Sequence, residues 1–209
     1  MVNNKDWTGN SSIYACNHRS KESEVATNDF YSTHPESVQL FLKKCKERDF
    51  VLPDKIWECA AGDGAISKIL EAEGHTVLST DLIGRGYGEG DVNFLTITPD
   101  NLPNEYKPYC KCIMTNPPYA YSREFVEKSL ELLDNDGICI MFLKLTFLET
   151  KKRKELFNNG KLKYVWVHVN RQACGKNGGT FKNGSSATCY AWFIWDNTYN
   201  GLPQIDWID

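Results

Sequence analysis

Long apolar runs are missing from this chain of 209 residues: nothing in it approaches the ~20 consecutive apolar residues of a membrane-spanning helix. The opening Met1-Val2-Asn3-Asn4-Lys5-Asp6 has no apolar stretch of the kind a signal peptide needs, so a cytoplasmic setting is expected. Histidine is scarce, and His18, His34, His75 and His168 form no motif. Cys110 and Cys112 are the one close cysteine pair, with no second Cys/His pair at zinc spacing, so no metal site is expected. Cys59, Cys112, Cys139 and Cys189 lie inside apolar runs, which suits buried reduced thiols better than disulfides. There is no internal repeat and no sign of a second domain. The length allows one domain with a proper core.

Acidic residues are scarce in one stretch. Residues 142–188 hold ten basic side chains, Lys144, Lys151, Lys152, Arg153, Lys154, Lys161, Lys163, Arg171, Lys176 and Lys182, against only Glu149 and Glu155. That stretch carries eight net positive charges on a chain totalling −3, which leaves −11 for the rest. A basic segment on an acidic body points to a local polyanion contact; a solvated lysine-rich helix would carry the same charges.

Residues 1–27 are polar and without period, and read as an arm ahead of a single domain over 28–209. Pro35 opens a helical pattern through Val38, Leu40, Phe41, Leu42 and Cys45. Strands are expected at 55–59, 76–80, 92–97, 111–115 and 138–142, with helices at 65–74, 122–133 and 149–158. Tyr164–Val169 and Cys189–Trp195 are β-branched and aromatic, and a loop rather than a helix joins them. The alternation predicts an α/β fold with a mostly parallel sheet, closed by an antiparallel edge.

Within that frame, Asn116-Pro117-Pro118-Tyr119 follows the apolar strand Cys112-Ile113-Met114, and ligands of α/β sheets bind at strand ends. The two prolines lack N–H groups and hold φ near −65°. Asn116 adds an oxygen acceptor and Tyr119 a flat ring. The tetrapeptide fits a rigid pocket for a planar group bearing an amino nitrogen, or a Pro-Pro turn ending a strand. Upstream, the first βα turn reads Glu58-Cys59-Ala60-Ala61-Gly62-Asp63-Gly64, where glycines let backbone approach a ligand and the helix start offers free N–H groups. Asp81 ends the next strand, where a nucleoside-binding fold places an acid on ribose hydroxyls; a helix cap or turn former would stand there equally. Asp91 and Phe94 follow the glycine loop 84–90; Phe94 suits either an adenine sandwich or the core, and Asp91 an adenine amino group.

Together, Glu58-x-Ala60-x-Gly62-x-Gly64 and Asn116-Pro117-Pro118-Tyr119 resemble the class I S-adenosylmethionine-dependent methyltransferases that modify exocyclic amino groups. Asn28-Asp29-Phe30-Tyr31-Ser32-Thr33-His34-Pro35 resembles that family's N-terminal cofactor segment, which gives the motif order of the gamma group of DNA adenine-N6 methyltransferases. Phe142–Glu149 and Tyr190–Phe193 resemble small phage-encoded members, so a phage or prophage product acting in a bacterial host is expected. The resemblance covers residues 28–196. It departs at Ala60, which replaces the first glycine of the turn, and in having only the loop 171–187 in place of a target-recognition domain.

The resemblance implies a Rossmann-like class I fold: a mostly parallel seven-stranded sheet with an antiparallel edge strand and helices on both faces. It also implies S-adenosylmethionine as cofactor, held by Tyr31, Thr33, Glu58, Ala60, Gly62, Gly64, Asp81, Asp91, Phe94 and Asn116. Asn116, Pro117, Pro118 and Tyr119 are the implied catalytic residues: Asn116 and the Pro117 carbonyl accept the target amine's N–H bonds while Tyr119 stacks on a flipped-out base. Lys144, Lys151, Lys152, Arg153, Lys154, Arg171, Lys176 and Lys182 are the expected phosphate contacts. DNA adenine N6 is the expected target. An RNA adenine or cytosine-N4 enzyme shares the pocket logic, a protein glutamine methyltransferase needs no basic segment, and a catalytically silent binding subunit has no use for an intact Asn116–Tyr119.

Overall fold

The computed structural model describes residues 30–172, 174–176 and 188–209. The expected arm over 1–27 and Lys182 lie outside them. In chain order the strands and helices are β1 (Tyr31–Thr33), α1 (Pro35–Glu47), β2 (Lys55–Glu58), α2 (Ser67–Ala72), β3 (Thr76–Ser79), β4 (Cys112–Thr115) and α3 (Ser122–Leu132). They continue with β5 (Ile138–Lys144), α4 (Lys154–Asn158), β6 (Leu162–His168), β7 (Cys174–Lys176), β8 (Tyr190–Asp196) and β9 (Gln204–Ile208).

Seven strands form one sheet in the order β3-β2-β4-β5-β8-β6-β9. β3, β2, β4 and β5 run parallel, β8 is antiparallel to both β5 and β6, and β9 is parallel to β6. The sheet is therefore mostly parallel, as expected. Its antiparallel strand lies inside rather than at the rim, because β6 and β9 continue the sheet beyond it. β1 and β7 form a separate antiparallel pair.

Side-chain alternation divides the core into two layers, as a period of two requires. On one face Trp57, Ile113, Cys139, Met141, Val165, Phe193 and Trp195 meet Phe125, Val126 and Leu132 of α3 and Leu156 of α4. On the other, Ile56, Cys112, Met114, Ile140, Phe142, Trp166, Trp192 and Ile194 meet Val38, Phe41, Leu42 and Cys45 of α1 and Leu70 of α2. β4 and β8 are buried on both faces, which is why their sequences read as continuous apolar runs. Cys59, Cys112 and Cys139 are fully enclosed, and burial pushes their thiols up, away from thiolate.

Two predicted elements differ. The strand expected at 92–97 is a 3-10 turn over Phe94–Thr96: the Asn93 side chain caps it at Leu95 N, 3.2 Å, and Thr96 Oγ1 donates back to the Asn93 carbonyl at 2.9 Å. The flank of β3 is instead met by an isolated parallel bridge between Thr80 and Glu89. The helix expected at 149–158 is reduced to a 3-10 turn at Lys151–Arg153 followed by α4. Glu149 is extended and Thr150 has φ of 93°, left-handed backbone that a helix cannot pass through.

Candidate active site

The chain leaves β2 outward to β3 and returns to β4 on the other side, so a crevice opens at the carboxyl ends of β2 and β4. Into it come the turn after β2, Asp81 beyond β3, Asn116 beyond β4 and Lys144 at the end of β5. β1 joins them from the N-terminal side.

The turn after β2 has the shape its glycines permit. Gly62 (φ 58°) and Gly64 (φ 76°) are left-handed. A Cβ on Gly62 would fall 2.2 Å from the Phe30 ring, and one on Gly64 2.4 Å from that of Tyr87. Asp81 braces this turn: its Oδ2 accepts from Gly62 N at 2.8 Å and its Oδ1 from Ile83 N at 2.9 Å. Asp63 receives the Ser32 hydroxyl on both carboxylate oxygens, at 3.1 and 2.9 Å. Ala60 is partly buried on the same turn.

Glu58 points inward. It is buried, and its Oε2 accepts from Ser67 N at 2.9 Å and from the Ser67 hydroxyl, tying β2 to the start of α2. Burial raises its carboxyl from 4.5 to about 8, with Asp81 and Asp63 adding to the rise and the Ser67 bonds opposing it.

Asn116 carries the sharpest chemical signal. Its Nδ2 donates to the Tyr31 carbonyl and to Thr33 Oγ1, both at 2.9 Å. A backbone carbonyl only accepts, so the nitrogen must face β1 and the amide oxygen must face away. That oxygen is buried and has no hydrogen-bond partner among the described residues. A buried acceptor without a donor is costly, and calls for one to arrive from outside.

Aromatic rings pack on one another along the chain that follows Asn116 and along β1. Tyr119 packs against Tyr31, with centroids 5.1 Å apart and planes 30° apart, and against Tyr190 at 6.0 Å. Tyr190 in turn stacks on Phe142 at 5.1 Å. The Lys144 ammonium sits 4.5 Å over the Tyr119 ring, a cation–π contact that brings this residue into the site. Pro117 is buried and Pro118 partly so.

The remaining expected residues take different places. Phe94 is 2% exposed, stacked on Phe125 at 5.2 Å and edge-on to Trp57 at 5.2 Å, so it belongs to the core alternative. Asp91 is exposed, with φ of 60°. Among the basic residues, Lys151, Lys152 and Lys154 are exposed beyond β5. Arg153 is engaged with its own loop: its Nη1 reaches the carbonyls of Thr146, Phe147 and Glu149 at 3.1–3.3 Å, and its guanidinium lies 4.6 Å over Phe147. Arg171 is exposed and contacts Cys189 Sγ. The backbone of Lys176 pairs with Tyr31, so the basic segment returns to β1.

Sequence reasoning placed Ser32, Asp63 and Tyr190 within motifs without giving any of them a role, and missed Arg85. Arg85 lies 4.3 Å over Phe30, the ring that fills the space above Gly62. Its place in the glycine loop after Asp81 was the one available signal.

No protein-family model matches the sequence, and a search of curated proteins found no match. Among solved structures, the chain is similar to a type I restriction-modification methyltransferase subunit from Streptococcus thermophilus, with TM-score 0.57, 14% identity, and coverage of 81% of this chain but 45% of that one. It is similar to a candidate RNA methyltransferase from Pyrococcus horikoshii, with TM-score 0.58, 11% identity, and coverage of 87% of this chain and 91% of that one. A candidate hemolysin from Lactococcus lactis shares the architecture, with TM-score 0.57, 11% identity, and coverage of 82% and 92%. At such identities the likeness is one of architecture, and together with the strand order it gives this chain a Rossmann-like class I methyltransferase fold.

Proposed function

We propose that this protein transfers a methyl group from S-adenosylmethionine to an exocyclic amino nitrogen of a nucleic-acid base, adenine N6 in DNA being the target that fits best. The observation that carries the reading is the amide oxygen of Asn116, buried and without a donor among the described residues, in the same tetrapeptide as Tyr119.

The cofactor fits the residues present. The glycine turn offers bare backbone, and Asp81 supplies a carboxylate for ribose hydroxyls while bracing that turn. Tyr31 and Thr33 border the same crevice through Asn116. Glu58 supports the turn from within, by holding α2. When bound, the cofactor supplies an electrophilic methyl on a sulfonium.

An exocyclic amino group is a weak nucleophile because its lone pair is delocalised into the ring. Asn116 Oδ1 and the Pro117 carbonyl, both acceptors, would take its two N–H bonds and favour a pyramidal nitrogen with its lone pair free. Tyr119 stacks on the base. The rate gain then comes from positioning and preorganised dipoles; once methylated, the nitrogen is strongly acidic and gives its surplus proton to water, so no strong base is needed. A base in duplex must leave the stack to reach this site, at a cost of a few kcal/mol. Exposed Lys151, Lys152 and Lys154, with Arg171 and the segment 171–187, hold phosphates in place of a larger recognition domain.

Incubation with labelled S-adenosylmethionine and DNA, RNA or protein, followed by nucleoside analysis, tests the reading. Label in N6-methyladenine from DNA is the expected result. Label in N4-methylcytosine or in RNA would keep the chemistry and move the target; label in protein alone would overturn the proposal.

A further inference from the structure

Asn116 is useful to an incoming amine only in one of its two amide orientations. The flipped amide would present its NH2 to the pocket and set its oxygen against the Tyr31 carbonyl, acceptor against acceptor. What prevents the flip is β1, three residues long, each with its own attachment. The Tyr31 carbonyl and Thr33 Oγ1 take the two Asn116 N–H bonds, across 85 and 83 residues of chain. Ser32, on the opposite face of the strand, holds Asp63 in the glycine turn. Thr33 is buried, at 3% exposure, so no solvent replaces its hydroxyl. The backbone of β1 is fixed in turn by β7, with Tyr31, Ser32 and Thr33 opposite Lys176, Gly175 and Cys174.

We propose that Thr33 is a positioning residue: with the Tyr31 carbonyl it locks the Asn116 amide so that its oxygen faces the target amine. This rests on the methyl-transfer reading for its consequence and on the amide geometry alone for its structure. Thr33 acts through Asn116, in a role separate from any contact with the cofactor. The same strand joins the cofactor turn to the basic segment, so the orientation of Asn116 is set by contacts to both.

Thr33→Val keeps the shape and removes the hydroxyl; Thr33→Ser keeps the hydroxyl. With DNA and labelled S-adenosylmethionine, Thr33→Val is expected to lower kcat about tenfold, the loss of one hydrogen bond on the orienting amide. KM for S-adenosylmethionine and the affinity for S-adenosylhomocysteine should stay within about twofold, and Thr33→Ser should restore kcat. A fall in S-adenosylhomocysteine affinity matching the fall in kcat would make Thr33 a cofactor contact and overturn the proposal. Nuclear magnetic resonance on asparagine-labelled protein reads the amide without any reaction. The Asn116 side-chain signals, identified by their loss in Asn116→Ala, should show two hydrogen-bonded protons in wild type and Thr33→Ser, and one in Thr33→Val. Unchanged signals in Thr33→Val would refute the lock, whereas an inactive wild type with the expected signals would refute only the methyl-transfer reading.

Discussion

Replacing Phe94 separates a core role from a cofactor role. Phe94 is 2% exposed, stacked on Phe125 with planes 27° apart, and edge-on to Trp57, with both centroids 5.2 Å away. Truncation to alanine removes a whole ring from between two partners on different elements, Trp57 on β2 and Phe125 on α3. Both partners are anchored by their own backbone elements, so the gap closes only in part. Phe→Ala at such sites costs about 3–5 kcal/mol, and two aromatic pairs put the expected loss in the upper half of that range. In a domain of this size each kcal/mol lowers Tm by roughly 2–4 °C, so a fall of about 10 °C or more is expected. Urea denaturation gives the free energy directly. Phe94→Leu, which leaves a smaller void, should cost about 1–2 kcal/mol and leave S-adenosylhomocysteine affinity within about twofold. A loss under about 1 kcal/mol for Phe94→Ala, accompanied by weakened cofactor binding in Phe94→Leu, would refute the core assignment.

The buried titrating groups make opposite predictions with pH. His168 is buried, with no hydrogen-bond partner for either ring nitrogen among the described residues, and burial lowers its pKa from 6.5 to about 4. The unfolded chain binds its proton first, so stability present above pH 6.5 is lost as pH falls toward 4, by roughly 3 kcal/mol at most. Denaturation of His168→Leu should lack that acid loss. Glu58 works the other way: the folded state holds its proton up to about pH 8 and the unfolded chain only to about 4.5, so stability falls as pH rises through that window. Glu58→Gln mimics the neutral acid, keeps an acceptor for Ser67, and should remove this slope. For the basic segment, Lys151→Ala, Lys152→Ala and Lys154→Ala together should flatten the salt dependence of DNA affinity by up to about 0.9 per lost phosphate contact. Arg153→Ala should leave that slope alone and lower stability by about 1 kcal/mol, since its donors serve carbonyls of its own loop.

Much of the fold was legible because the central strands are buried on both faces and the helices carry one apolar stripe. Runs such as Ile138–Leu143 and Tyr190–Trp195 admit little besides interior strand. β9 was missed because its pattern is inverted: Ile205 and Trp207 are exposed, at 59% each, while Asp206 turns inward to Lys44 and Arg48. β1 was missed because three residues carry no periodicity, and what holds them, Asp63, Asn116 and β7, is distant in sequence. Thr150 broke the expected basic helix through a backbone angle that composition does not encode. In the site, the strand-end position of Asn116 was readable from Cys112–Met114. The orientation of its amide was not, since it depends on contacts 83 and 85 residues away. Phe94 was ambiguous because an aromatic residue after a glycine loop suits a core and a base sandwich equally, and only Trp57 and Phe125 on either side decide between them.

The central claim is that the Asn116 amide oxygen, without a donor among the described residues, receives an amino group that is then methylated. Single-turnover transfer of labelled methyl to unmethylated DNA, comparing wild type with Asn116→Ala, tests it most directly. The expected result is N6-methyladenine formed by wild type and a rate at least about a hundredfold lower in Asn116→Ala, with S-adenosylhomocysteine still bound. Asn116→Ala labelling DNA as fast as wild type would contradict the account.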